Sequence, residues 1–184
     1  MTTAARVCSP VVTAATIRPA RPDELAAVGA LTVGVYRADR LAPEDYSSSL
    51  ADAEHRAQHT DILVAVDEQD RLLGAVALVL NGGPYAELAV TEDEAEFRML
   101  AVSAAARGQG VGTALIKECL SRAQAAGKHR MVISTGDNMT AAHRRYTALG
   151  FRRAPDLDWP PMPGVFLLAY VLELNDVLEL GSEG

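Results

Sequence analysis

Residues 107–113 read RGQGVGT, an arginine followed by glycines at 108, 110 and 112. Glycine at this spacing lets the chain turn through conformations closed to other residues and lets a ligand approach bare peptide groups. The stretch before it, EFRMLAV (96–102), is apolar enough for a strand. The stretch after it, from Gly110 to Ala126, puts Val111, Leu115 and Cys119 on one helical face, with Gly127 as a stop. The first N–H groups of a helix lack internal partners and carry partial positive charge, so this junction suits a phosphate, and Arg107 adds a full charge. Two common phosphate motifs fail on spacing. A P-loop requires Lys and Ser/Thr directly after its last glycine, but Gly112 is followed by Thr113 and Ala114. A dinucleotide fingerprint requires a third glycine three residues after the second, and position 113 is Thr. Alone, the pattern fits either a ligand cradle or a tight turn whose glycines serve packing.

Other chemistry-bearing side chains are fewer. Glu96 opens the apolar strand at the end of an acidic run, TEDEAEF, and reads either as a general base or as one more surface charge. Tyr146 lies in DNMTAAHRRYTALGF (137–151), on a helical face with Met139, Ala142 and Leu149. Asp137 or Asn138 is placed to cap that helix. His55 and His59 stand one helical turn apart, but no Glu follows His55 as a zinc protease requires, so this reads as a solvated helix and no metal site is expected. His143 reads as incidental and HRR (143–145) as a solvated face.

The elements that must position these residues follow from periodicity and punctuation. TIRPA (16–20) is a short strand, and Pro22 and Asp23 open a helix to about Arg40. APEDYSSS is a connector to a polar helix ending near His59. DILVAVD (61–67) and RLLGAVALVL (71–80) form an antiparallel hairpin across a short turn. A loop, NGGPYAELAVTEDEA, leads to the strand 96–102, the glycine bend and its helix. RMVIST (130–135) is a fifth strand, and FRRAP and VFLLAYVLEL are the last two, connected by a segment shaped by Pro160, Pro161, Pro163 and Gly164.

In that setting Arg107-x-x-Gly110-x-Gly112 resembles the pyrophosphate loop of the GNAT superfamily of acyl-CoA-dependent N-acyltransferases. AEFRMLAV resembles that family's fourth strand, and DNMTAAHRRYTALGF its second motif, over roughly residues 15–174 in the family's element order. The resemblance implies a mixed α/β (α+β) fold: a mostly antiparallel sheet of six to seven strands flanked by about four helices, its fourth and fifth strands splayed. It implies acetyl-CoA as cofactor, with pyrophosphate on Arg107, Gly108, Gln109, Gly110, Val111, Gly112 and Thr113. Leu100, Ala101 and Val102 would lie along the pantetheine, Leu100 and Val102 pairing with its amides through backbone, and Asn138 beside it. Glu96 matches the catalytic glutamate of histone-type members, and Tyr146 the general acid that protonates the thiolate. The oxyanion would sit on backbone N–H groups near Leu100, where the fourth strand bulges. Tyr36, Tyr85 and Trp159 fall in segments that build the family's acceptor pocket, and with the acidic run they would suit a cationic amine. The implied activity is acetyl transfer to a primary amine of a small molecule. A protein lysine or N-terminus as acceptor, or a non-catalytic acyl-CoA-binding module, would fit the same residues.

Composition bounds the partners. A chain of 184 residues fits one domain, read as 15–174 between a flexible arm (1–14) and a flexible acidic tail (175–184). With 24 acidic and 17 basic residues the formal charge is −7, a poor footprint for a nucleic-acid binder. The local basic groups are Arg107, Lys117, Lys128, His129 and Arg130. Cys8 and Cys119 do not make a disulfide framework, and Cys119 reads as core. No apolar run reaches the roughly 18 residues of a membrane span. The expectation is a cytoplasmic protein with no membrane or nucleic-acid partner, in which a homodimer is compatible with the apolar C-terminal strand.

Overall fold

A computed structural model describes residues 15–41, 46–162 and 164–174. The arm, the tail, residues 42–45 of the connector and Pro163 lie outside the described residues. The strands are β1 (Thr16–Pro19), β2 (Asp61–Val66), β3 (Leu72–Val79), β4 (Glu94–Val102), β5 (Arg130–Gly136), β6 (Arg152–Arg153), β7 (Trp159–Met162) and β8 (Val165–Glu173). The helices are α1 (Leu25–Ala38), α2 (Ser47–Ala51), α3 (Ala53–Ala57), α4 (Val111–Ala125) and α5 (Thr140–Ala148). One sheet runs β1-β2-β3-β4-β5-β8-β6, with β7 also on β8.

β2 and β3 are apolar at nearly every position because both sheet faces are covered. Leu63, Ala65, Val76 and Leu78 pack with Leu115, Ile116 and Cys119 of α4 and with Tyr146 of α5. Ile62, Val64, Val66 and Ala75 pack on the other face with Val28 of α1 and Ala53 of α3. Each helix therefore buries one stripe, and Cys119 is a fully buried core thiol, as its place on that stripe implied.

Two departures from expectation are local. The polar helix before His59 is broken at Asp52 (φ −79°, ψ 69°), whose carboxylate accepts the His55 N–H at 2.9 Å and starts α3 afresh. The sheet has eight strands rather than six or seven, because WPPM forms β7 instead of a plain connection. Its paired positions are Trp159↔Leu167 and Met162↔Val165, with an irregularity between them. Pro160 and Pro161, which have no N–H to give a ladder, fall in that gap.

The feature that makes a site is the junction of β4 and β5. They are the parallel pair in an otherwise antiparallel sheet, and they pair only from Glu94↔Arg130 to Glu96↔Val132. Beyond Glu96 the strands diverge, as the resemblance implied. On its other side β4 carries a bulge: Ala101 pairs Ala75 and Arg98 pairs Ala77, so Met99 and Leu100 share one place opposite Val76. Met99 takes φ +54°, a left-handed conformation uncommon for a bulky residue.

Candidate active site

A cavity of about 710 Å³ opens where β4 and β5 part. β4 supplies Phe97 to Leu100 and Val102, β5 supplies Ser134 to Gly136, and α1, α4, α5 and the β7–β8 hairpin close the sides.

At one end lies the glycine bend. Gly108 and Gly110 take φ +75° and +81°, so their glycines meet a backbone demand. A Cβ built on either would find nothing within 4 Å, so both present bare backbone to open space. Gly110 is the N-cap of α4 with no side chain capping it, and Ala114 N–H is already bonded to Gly110 O at 2.9 Å. The N–H groups of Val111, Gly112 and Thr113 are therefore first-turn donors at the cavity wall. Arg107 stands beside them in a bidentate pair with Asp39 from the end of α1, at 3.1 and 2.7 Å. Arg145 of α5 also reaches this end: a Cβ on Gly112 would lie 3.5 Å from its guanidinium carbon. Two cations, one carboxylate and a helix N-terminus thus meet at this end of the cavity, and such a terminus can receive an anion. Gln109 turns away, its side-chain amide donating to Ala105 O at 2.8 Å.

Along the middle, Leu100 and Val102 line the cavity, whereas Ala101 is buried on the opposite side of β4. Asn138 lies on the wall but does not cap α5; the N-cap is Met139, without a side-chain bond, so neither Asp137 nor Asn138 plays the capping part expected. Instead Asn138 Oδ1 sits where a Cβ on Gly136 would come within 2.9 Å, a contact only glycine allows. His143, which read as incidental, ties α5 to the end of β5 through a 2.9 Å bond between its Nε2 and Gly136 O.

Tyr146 is one helical turn further on. Its ring packs against Phe97, Phe151 and Tyr170 at centroid distances of 5.9, 5.7 and 6.0 Å, and it lines the cavity while only 5% exposed. Burial pushes its phenol up to about 12. Tyr36 also lines the cavity; burial raises its phenol, and the phenols of Tyr146 and Tyr46 add to the rise.

The far end is a polar cluster that the sequence reading passed over. Arg98 Nη2 donates to Glu87 Oε1 at 2.5 Å and to Tyr46 Oη at 3.4 Å, and its Nη1 donates to Tyr85 O at 3.1 Å. Glu87, Arg98 and Tyr46 all line the cavity. Glu96 does not. Its side chain is 0% exposed, and Oε2 accepts the N–H groups of Glu87, Leu88 and Ala89 at 2.8, 2.8 and 3.2 Å. Glu94, two residues earlier on the strand, likewise accepts the N–H groups of Val90 and Thr91. Two members of the acidic run thus hold the preceding loop. Arg98 carried one legible signal, a full charge inside an apolar strand; Glu87 carried none.

Two of the three aromatic candidates fall elsewhere. Tyr85 donates or accepts at His55 Nδ1 (2.9 Å) and stacks near His59, outside the cavity wall. Trp159 packs with Leu88, Val132 and Ala169 behind the loop. Among the described residues no group of three or more His, Cys, Asp or Glu is arranged to hold a metal ion, and no helix is long and apolar enough to cross a membrane.

Comparison with known proteins bears on family and fold. Residues 32–151 match the profile of the acetyltransferase (GNAT) family. An uncharacterized N-acetyltransferase of Schizosaccharomyces pombe is 33% identical over 107 residues, 58% of this chain and 61% of that protein. The mycothiol acetyltransferase of Renibacterium salmoninarum is 28% identical over 116 residues, 60% of this chain and 33% of that protein. The chain thus spans about three fifths of one of these relatives and a third of the other. The structure of yncA from Salmonella typhimurium, solved with acetyl-CoA, superposes with a TM-score of 0.66 at 23% identity, covering 87% of this chain and 94% of that one. At that identity it shows a shared fold.

Proposed function

The chain belongs to the acetyltransferase (GNAT) family, and from that premise we propose that it moves an acetyl group from acetyl-CoA to a primary amine of a small molecule. The observation that carries this reading is one cavity joining a bare-glycine helix N-terminus, flanked by Arg107 and Arg145, to a buried phenol, Tyr146. Bound acetyl-CoA supplies an activated thioester. Arg107, Arg145 and the N–H groups of Val111 to Thr113 hold its pyrophosphate; Gly108 and Gly110 leave the room. The β4 edge that faces β5 has no pairing partner there beyond Glu96, so Leu100 and Val102 have backbone to offer the pantetheine and, at the bulge, the oxyanion. Tyr146 holds a proton at the inner end of the same wall, where a departing thiolate needs one. A purely binding module would need the loop and not a buried phenol aimed into the cavity.

The first test is calorimetric titration with acetyl-CoA and with CoA. Both should bind, and Arg107→Glu should weaken both about thirtyfold, since it replaces a charge-assisted phosphate contact with a like-charge repulsion. Absence of binding to either ligand sinks the reading and returns the glycines to a structural turn. Arg107 must also leave Asp39 to engage phosphate. Exposed pairs of this kind are worth about 0–1 kcal/mol, so Asp39→Asn should tighten acetyl-CoA binding by up to about fivefold, most at low salt. Weaker binding in Asp39→Asn would mean that the pair shapes the site rather than competing with it.

A further inference from the structure

We propose that Glu87 receives the acceptor amine as an ammonium ion and takes its proton, held in position by Glu96 and Arg98. The proposal deepens the acetyl-transfer reading and rests on it. It starts from a mismatch between donors and acceptors. Two carboxylates, Glu87 and Glu96, face one guanidinium, Arg98, so this trio carries one formal negative charge, while the buried Arg56 guanidinium acts on Tyr46 from the side of α3. The terminal N–H groups of Arg98 go to Glu87, Tyr46 and Tyr85, its Nε stands 3.8 Å from Glu96 Oε1 without a hydrogen bond, and Glu96 Oε2 takes three backbone N–H groups. Two buried acceptors have no hydrogen-bond partner among the described residues, Glu87 Oε2 and Glu96 Oε1. A buried acceptor left unpaired is costly. What the cluster lacks is a cation rich in N–H donors, and a primary ammonium is one.

Of the two carboxylates only Glu87 is on the cavity wall. Its terminal torsion is soft, so the oxygen that Arg98 does not hold is free to swing toward a ligand. Glu96 acts through the backbone: its grip on the N–H groups of residues 87–89 sets where Glu87 stands. The groups facing Glu87 are Arg98 and Glu96 from β4 and Tyr46 ahead of α2. Burial raises the Glu87 carboxyl above the usual carboxylate range and Glu96 adds to this, while Arg98 opposes both. A carboxylate so raised is a stronger base for a bound ammonium than a solvated one. Tyr36 bridges the two ends, close enough to Tyr46, Arg98 and Tyr146 for its ionisation to be coupled to theirs.

The step balances as follows. The ammonium gives one proton to the Glu87 carboxylate, and the freed nitrogen lone pair forms a bond to the thioester carbonyl carbon. The C–S bond then breaks, its electron pair leaving on sulfur, which takes the Tyr146 proton. The second proton lost by nitrogen restores Tyr146, and the one on Glu87 passes to solvent.

The test compares the wild-type chain with Glu87→Gln, using acetyl-CoA, a panel of primary alkylamines beginning with tyramine, and hydroxylamine, a nucleophile already uncharged at neutral pH. Thiol release is the readout. The expected result is a loss of about a hundredfold in kcat/KM for the best alkylamine at pH 7, with acetyl-CoA affinity and transfer to hydroxylamine both within threefold of wild type. The pH profile separates a base from a structural prop. Between the Glu87 and amine pKa values wild type should be flat, whereas Glu87→Gln should climb tenfold per pH unit, because only free amine then reacts. Glu87→Asp should restore the flat profile at a reduced rate. Equal profiles for wild type and Glu87→Gln would overturn the proposal, as would acceptance of hydroxylamine with every alkylammonium refused. A wild-type chain that fails to bind acetyl-CoA would instead remove the acetyl-transfer reading beneath it.

Discussion

Replacing Tyr146 by Phe should lower kcat for acetyl transfer about a thousandfold and leave acetyl-CoA affinity within threefold. The ring keeps its contacts with Phe97, Phe151 and Tyr170, so the fold and the cavity wall survive the change. What is lost is one proton at one atom. A phenol raised to about 12 by burial stays protonated throughout the neutral range, so it is ready to donate. In water such a donor would be too weak for a thiolate whose acid has a pKa near 8.5. The same apolar burial lifts a thiol as well, as it does for Cys119. Donor and leaving group therefore rise together, and the gap narrows. The bond to sulfur forms as negative charge develops, so its loss falls on kcat rather than on ground-state binding. General-acid contributions run from about 10² to 10⁴. A group that must be protonated loses activity as pH rises through its pKa, so Tyr146 should impose no alkaline limb below about pH 11. Single-turnover kinetics of Tyr146→Phe decides it: an unchanged acyl-transfer step would remove Tyr146 as the acid.

The second large effect is on stability. Glu96→Ala should lower the unfolding free energy by about 4 kcal/mol, in the range for breaking a buried charge's partnerships. Glu96 is fully buried, and its carboxylate is the acceptor for three consecutive N–H groups, which would be left in a dry interior. Each buried donor stranded this way costs about 1–3 kcal/mol, partly relieved where the loop opens to water. Glu96→Gln keeps a carbonyl oxygen in the same place and should recover roughly half of the loss. Urea denaturation measures the difference, and amide exchange at Leu88 and Ala89 should rise selectively in both variants. A loss below about 1 kcal/mol would mean that the loop holds its shape without the carboxylate. If Glu96 acts only by placing Glu87, Glu96→Gln should also keep the flat pH–rate profile of wild type while its kcat falls.

Much of this protein is legible along the chain because much of it is local. Helix stripes, the β2–β3 hairpin, the positive-φ glycines at 108 and 110 and the phenol four residues before Gly150 are all consequences of short-range geometry, and each stands where periodicity or turn chemistry puts it. The glycine-bend end of the cavity was readable for the same reason: RGQGVGT and the first turn of α4 are contiguous, so one stretch of sequence holds both the bend and its donors.

The pairings made over long sequence distances are different in kind. Glu87 meets Arg98 across a loop return, Arg145 reaches the glycine bend from another helix, and Asp39 reaches Arg107 over 68 residues. Periodicity carries no term for such distances. The family resemblance assigned Glu96 to chemistry by its place at the head of β4, and it grouped Tyr85 and Trp159 with Tyr36 by the segments they occupy. The tertiary structure sorts them by which side of the backbone faces the cavity. Tyr36 and Glu87 face it, Tyr85 and Trp159 do not, and Glu96 is turned to its own loop. Sequence by itself determined the elements, their order and the glycine bend at the head of α4, since these rest on local backbone preference and helical or strand period. Only the folded sheet, parting between β4 and β5, decided which charges share a dry cavity, because burial and pairing of charge depend on neighbours that the chain brings together from afar.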